Sequence, residues 1–263
     1  VNNFYSLYIN FINLFFLVNN FYSLYINFIN LFFIKTFTTD LFIISMELFH
    51  FDIETACNYP NWKNFLSKDE RGAKLFESKY HRMNWEEKYS SIEEAYLEQG
   101  GIISTYGRIV CISFGFTDDS GQIQIRSIYG EDEKDTVESF NNLLKKIEKK
   151  SFSLSGFRIL HFDIPYVLHK LHKYQITPAD IIKPYNKKPW EMRIVDMSDD
   201  WKQKFAWSWS FDEMCYELDI DSPKDKITGG DVNSYFWSGK LEEIKEYCEK
   251  DVKACIEASK RIY

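Results

Sequence analysis

Asp52, Glu54, Asp163 and Asp251, with Tyr247, stand in three phrases, and each phrase sits in a different backbone pattern. Phe51-Asp52-Ile53-Glu54-Thr55 closes an alternating apolar–polar run, and Phe162-Asp163-Ile164-Pro165-Tyr166 sits where a short apolar run meets a helical one. Tyr247-Cys248-Glu249-Lys250-Asp251 lies within a long amphipathic stretch at the C-terminal end. On a strand, Asp52 and Glu54 share a face, about 7 Å apart at the backbone. On a helix, Tyr247 and Asp251 share a face because they lie four apart. Asp163 suits a helix N-cap, and a cap at the C-terminal edge of a sheet also points into the crevice where ligands bind. The chain must therefore fold so that a strand, a junction and a helix meet at one place.

The order of elements supports this. Glu47 to Ile53 reads as a strand ending in the acids, and residues 60 to 99 as a helical or irregular excursion. Arg108 to Phe116 reads as a buried strand, pairing through a turn at Asp118 to Gly121 with a period-two strand over Gln122 to Tyr129. Glu131 to Lys150 is an amphipathic helix with acids first and lysines last, as the helix dipole prefers. A short strand is expected at Arg158 to Phe162, a helix from Asp163 to Tyr174, and another short strand at Arg193 to Met197. Helical patterns follow at 209–218, 231–237 and Leu241 to Ile262. Three leading strands followed by strand–helix alternation predict an α/β fold with a mixed central sheet flanked by helices, in one domain from Met46 to Tyr263.

Residues 1–45 stand apart. VNNFYSLYINFINLFF occurs twice, separated only by Leu17, and no charge appears before Lys35. The run exceeds the ~18 residues that can span a bilayer, yet each copy holds four Asn, which are costly in hydrocarbon. There is no basic n-region and no small-residue cleavage site. A 17-residue shift turns a helix by about 260°, so the two copies form no continuous stripe. The expectation is that this head lies outside the fold, as read-through from upstream of a start at Met46, and that no membrane is involved.

The net charge is −7, whereas proteins that grip nucleic acid by phosphate contacts alone are usually basic. This disfavours a DNA-coating protein and leaves room for a site in which metal ions offset the phosphate charge. The five cysteines (Cys57, Cys111, Cys215, Cys248, Cys255) form no CxxC pair and read as reduced core thiols of a cytoplasmic protein. Carboxylates at these spacings suit Mg²⁺ or Mn²⁺, which prefer hard oxygen ligands.

From Met46 onward the chain resembles the 3′–5′ exonucleases of the DEDDy type, in particular the predicted bacterial exonucleases related to the proofreading domain of family B DNA polymerases. The family's Asp-x-Glu is matched by Asp52 and Glu54, its Phe-Asp by Phe162 and Asp163, and its Tyr-x-x-x-Asp by Tyr247 and Asp251. RIVCISFGF at 108–116, KKPWE at 187–191 and SPKDKITGGDV at 222–232 also resemble that group. The resemblance implies a ribonuclease H-like fold and two divalent cations, Mg²⁺ or Mn²⁺, held by Asp52, Glu54, Asp163 and Asp251. It also implies a water oriented or deprotonated by Tyr247, and hydrolysis of single-stranded 3′ ends, DNA rather than RNA, to nucleoside 5′-monophosphates. Trp190, Tyr166, Trp207 and Trp209 are the aromatics available to stack on the terminal bases. Nothing in the sequence points to an obligate protein partner.

The histidine subtype would place His where Glu246 stands, so Tyr247 selects the tyrosine variant. One departure stands out. The family's Gly-His-Asn ahead of Phe-Asp is here Gly156-Phe157-Arg158, and this arginine can approach a phosphate instead. The competing readings are an exoribonuclease that trims RNA and a catalytically impaired nucleic-acid-binding module.

Overall fold

Alternation along the first strand decides which way the acids face. Phe49, Phe51 and Ile53 point to one side of β1 (Leu48–Cys57), where they join the main apolar core. His50, Asp52 and Glu54 therefore point to the other side. The computed structural model describes residues 47–183, 187–188, 191–203, 207, 209–223 and 227–263. Glu47–Ile262 forms one compact unit, and the duplicated head at 1–45 lies outside the described residues.

A five-stranded mixed sheet runs in the order β3-β2-β1-β4-β5. β2 (Gly107–Thr117) pairs antiparallel with β1 and with β3 (Ile123–Tyr129), and the turn closes on Asp118, whose side chain accepts from the Ser120 and Gln122 amides. β4 (Ser153–Gly156) and β5 (Ile194–Asp196) run parallel to β1. The β1–β2 register slips between Glu54 and Thr55, which pair with Cys111 and Ile109 and so leave Val110 as the extra residue. The slip explains why the consecutive residues Val110 and Cys111 pack into the same cluster, with Cys248.

The excursion between β1 and β2 is helical: α1 (Trp62–Lys68), α2 (Glu70–Arg82) and α3 (Ile92–Gln99), capped by Asn61, Asp69 and Ser91. It carries an aromatic core of its own around Phe65, Phe76 and Tyr96. α4 (Glu133–Ile147) and α5 (Asp163–Lys173) cover one face of the sheet through Phe140, Leu144, Val167 and Leu171. After β5 come α6 (Met197–Lys202), α7 (Phe211–Glu217) and α8 (Val232–Trp237). The long α9 (Leu241–Ile262) closes the other face, where Ile244 and Cys248 meet Ala56 and Val110.

Three sequence expectations shift. β1 does not end at the acids but runs on to Cys57, so Asp52 and Glu54 stand in mid-strand. The strand expected at Arg158 to Phe162 lies earlier, at Ser153–Gly156, and residues 157–162 form a turn. The buried residues there are Ser153, Leu154, Ser155 and Gly156, a composition that gives no apolar signal, whereas Ile159, Leu160 and Phe162 supply one without being a strand. Finally, Asp163 is the first residue of α5 rather than its cap; Phe162 holds the cap position and makes no side-chain cap bond.

Candidate active site

The site opens where two parallel strands diverge. β4 pairs with β1 only as far as His50 and Ser155 and then leaves at Gly156. A Cβ at Gly156 would stand 2.7 Å from the Phe51 carbonyl oxygen and 2.5 Å from the Ile159 side chain, so only glycine permits the exit at this closeness. Beyond it, the Ile53 amide lacks a strand partner and donates instead to Asp163 Oδ1 at 3.0 Å. One hydrogen bond thus fixes the second phrase between the two acids of the first.

The third phrase arrives on α9. Tyr247 and Asp251 are both almost fully buried, and the Tyr247 hydroxyl is hydrogen-bonded to the Asp251 carboxylate. Between them, Cys248 reaches β1, its thiol lying 3.5 Å from Asp52 Oδ2. Asp52, Glu54, Asp163, Tyr247 and Asp251 all line one cleft of about 420 Å³, and Ile102, Phe157, Arg158, His161 and Phe211 complete its walls. Asp52, Glu54 and Cys248 each bring a ligand atom within 4.8 Å of the others.

The electrostatics of this cleft are unbalanced. Burial pushes Asp52 well above the usual carboxylate range, and the charges of Asp163 and Asp251 push it further. Burial does the same to Glu54, aided by Asp52 and Asp251. Asp163 is raised to about 7 by burial, with the Ile53 amide opposing and Asp196 and Asp251 adding to the rise. Tyr247 is raised by burial and by the Asp251, Glu54 and Asp52 carboxylates, which keeps its phenol protonated. Acids forced together in this way favour either protons or cations. The donor set fits hard divalent ions: four carboxylates on one cleft, with the nearby thiol turned toward Asp52.

Several contributors were not legible in the sequence. Asp196, at the end of β5, accepts from the Arg158 and Leu160 amides at 2.9 Å each, and caps α6 through Ser198. Its Asp-x-Ser pattern signals a cap but not the reach back to the turn before Asp163. Asp196 also forms a group with His161 and Asp199 whose ligand atoms lie within 4.8 Å, but its oxygens are already taken by amides, which makes this cluster a brace for the turn. Of the aromatics named for stacking, Tyr166 is buried with its hydroxyl donating to the Gly101 carbonyl, Trp207 is exposed, and Trp190 lies outside the described residues.

A mixed five-stranded sheet in this order with helices on both faces is an α/β fold of the ribonuclease H-like type. The profile of the predicted 3′–5′ exonucleases related to the exonuclease domain of PolB matches residues 102–255, and the chain belongs to that family. Asp163, Tyr247 and Asp251 fall within the matched span, while the strand bearing Asp52 and Glu54 precedes it. Among solved structures, the chain is similar to the family B DNA polymerase from the hyperthermophilic archaeon Pyrobaculum calidifontis, with a TM-score of 0.53 and 12% identity. The similarity covers 82% of this chain and 24% of that chain, so this chain spans about a quarter of the polymerase's length; at this identity the likeness is one of fold. No curated protein matches the sequence. Among the described residues, no helix is long and apolar enough to cross a membrane. The chain is thus a predicted 3′–5′ exonuclease of the PolB exonuclease type; the family implies a nucleic-acid substrate, and exonuclease domains of this type use divalent metals.

Proposed function

We propose that this exonuclease removes nucleotides from single-stranded 3′ ends of DNA and releases nucleoside 5′-monophosphates. Asp52, Glu54, Asp163 and Asp251 would hold two divalent cations, Mg²⁺ or Mn²⁺, and Tyr247 would position the attacking water. The observation that carries this reading is the convergence of all five side chains on one cleft from three separate elements. Bound cations in such a cage supply an activated water and a counter-charge for the leaving oxygen.

The protein's part is placement. Asp163 is held by the Ile53 amide, and Asp52 by Cys248, so the three phrases keep a fixed spacing. Tyr247, whose hydroxyl donates to Asp251, keeps its oxygen lone pairs for the attacking water and so orients it. Ile102, more than half exposed at the mouth of the cleft, offers an apolar surface to a terminal base. DNA is named because the family is related to the exonuclease domain of a DNA polymerase.

The test is digestion of a 5′-labelled single-stranded DNA oligomer with Mg²⁺ or Mn²⁺, beside an RNA oligomer of the same sequence. A ladder shortening from the 3′ end of the DNA, absent in Asp52→Ala and in chelator, is expected. Equal cleavage by wild type and Asp52→Ala would sink the metal assignment, and cleavage confined to RNA would replace the substrate.

A further inference from the structure

We propose that Arg158 is a binding residue for the nucleic-acid backbone, gripping a phosphate upstream of the bond that is cut; this rests on the exonuclease reading above. Arg158 lies on the wall shared by two adjoining cavities. One is the acid cleft, and the other, of about 230 Å³, is walled by His161, Ser198, Asp199, Trp201, Lys202 and Trp209. A strand whose 3′ end sits among the carboxylates and continues into the second cavity must pass this side chain.

The backbone at Arg158 is held for the purpose. Its φ is +64°, in the left-handed region that residues with a side chain rarely adopt. The conformation is secured by Asp196, 4% exposed, which accepts from the amides on either side of Ile159. Strain maintained by a buried carboxylate next to a reactive cleft is the pattern expected of a functional position. Ile159 is thereby turned into the core while Arg158 stays exposed. Its guanidinium makes no hydrogen bond or ion pair among the described residues.

Charge supplies the reason for a cation here. Of the described residues that wall the acid cleft, Arg158 is the one lysine or arginine. Four carboxylates balance two divalent ions, and every phosphate that enters beyond the scissile one needs a counter-charge from elsewhere. A guanidinium presents paired donors that match phosphate oxygens. Lys202 adds a second cation on the smaller cavity, where Asp199 is engaged with His161 and Trp201 offers a partly exposed ring to a base.

The experiment is fluorescence anisotropy of a 5′-labelled oligo(dT) in Ca²⁺ across a salt series, with Mn²⁺-supported digestion and Mn²⁺ calorimetry alongside. Arg158→Gly removes the cation and suits the left-handed backbone. Arg158→Asn is a second neutral residue at ease there, and Arg158→Lys keeps the charge. Both neutral variants should bind the oligomer about tenfold more weakly and flatten the log–log salt dependence by about 0.7, the loss of one phosphate contact on a single strand. Mn²⁺ affinity should not change, and Arg158→Lys should retain the salt slope. A neutral variant that binds Mn²⁺ and digests DNA with an unchanged salt slope overturns this inference alone. A wild type that neither binds nor digests the oligomer overturns the single-stranded DNA reading, and this inference, stated for that strand, falls with it.

Discussion

Two groups of buried acids lie on opposite sides of the sheet, and they differ in what surrounds them. Glu133, 3% exposed at the start of α4, accepts from the Ile109 amide at 2.8 Å and from the Tyr174 hydroxyl at 2.6 Å. It is ion-paired with Lys170 and Lys173 at 3.1 Å each. Burial alone would push Glu133 up, yet Lys170, Tyr174, the Ile109 amide and Lys173 together hold it below its usual value. Lys170 is lowered to about 8 by its own burial, which the Glu133 charge partly offsets, so the pair stays ionised at neutral pH. Around Asp52 and Glu54 the leading charges among the described residues are other carboxylates, and both are raised. A buried acid enclosed by the protein's own cations is part of the framework, whereas one enclosed by acids awaits cations from outside.

The sharpest way to break this contrast is to neutralise one acid of each group. Glu54→Gln should lower exonuclease activity about a thousandfold, since it removes one of the proposed cation ligands. It should also raise the melting temperature of the metal-free protein, because a repulsion is relieved. Glu133→Gln should do the reverse. Leaving Lys170 buried without its carboxylate should cost about 3–5 kcal/mol in denaturant unfolding, while the folded fraction keeps its activity. If both variants lose stability alike, the two groups are not different in kind.

Asp163 sharpens the comparison through pH. Its folded value of about 7 exceeds the ordinary 3.8, so between those values the folded, metal-free cleft holds a proton that the unfolded chain has released. The raised values of Asp52 and Glu54 act in the same direction. The stability these groups contribute is therefore complete below about pH 4 and is lost as the pH climbs through 7. Thermal unfolding of the metal-free protein should show that decline, and Mn²⁺ should raise the melting temperature more at pH 8 than at pH 5. Asp163→Asn keeps an oxygen for the Ile53 amide but cannot ionise. It should gain about 2–4 kcal/mol over wild type at pH 8 without metal, and respond little to Mn²⁺. A variant no more stable than wild type at pH 8 would show that the carboxylates do not repel as described.

How much of this was legible in the sequence follows from the range of each signal. The alternation at β3, the amphipathic runs of α4 and α9 and the Asp118 turn are local patterns, and the structure places them within a few residues of expectation. The five candidate site residues came from the family resemblance, with motif spacing adding which of them share a face, and the structure brings all five to one cleft. β4 was displaced because a short parallel strand buried on both faces need not alternate, and here Ser and Gly occupy it. Asp196 and Cys248 were missed for another reason. Their importance lies in bonds to Arg158, Leu160 and Asp52, partners far away in sequence that no local pattern records.

Tyr247 gives the smallest effect and separates two roles for the phenol. Its hydroxyl bonds to Asp251, and burial together with the surrounding carboxylates holds it protonated well above its ordinary range. A phenol held in that way orients water through its oxygen, and its loss should cost about ten- to hundredfold in kcat by misplacing the nucleophile. Tyr247→Phe should bind Mn²⁺ nearly as tightly as wild type in calorimetry, since the phenol is not counted among the ligands. The pH profile of kcat should keep its shape, only lowered. Were the phenol a base, the profile would instead lose a titrating limb, and an unchanged rate would remove Tyr247 from the mechanism altogether.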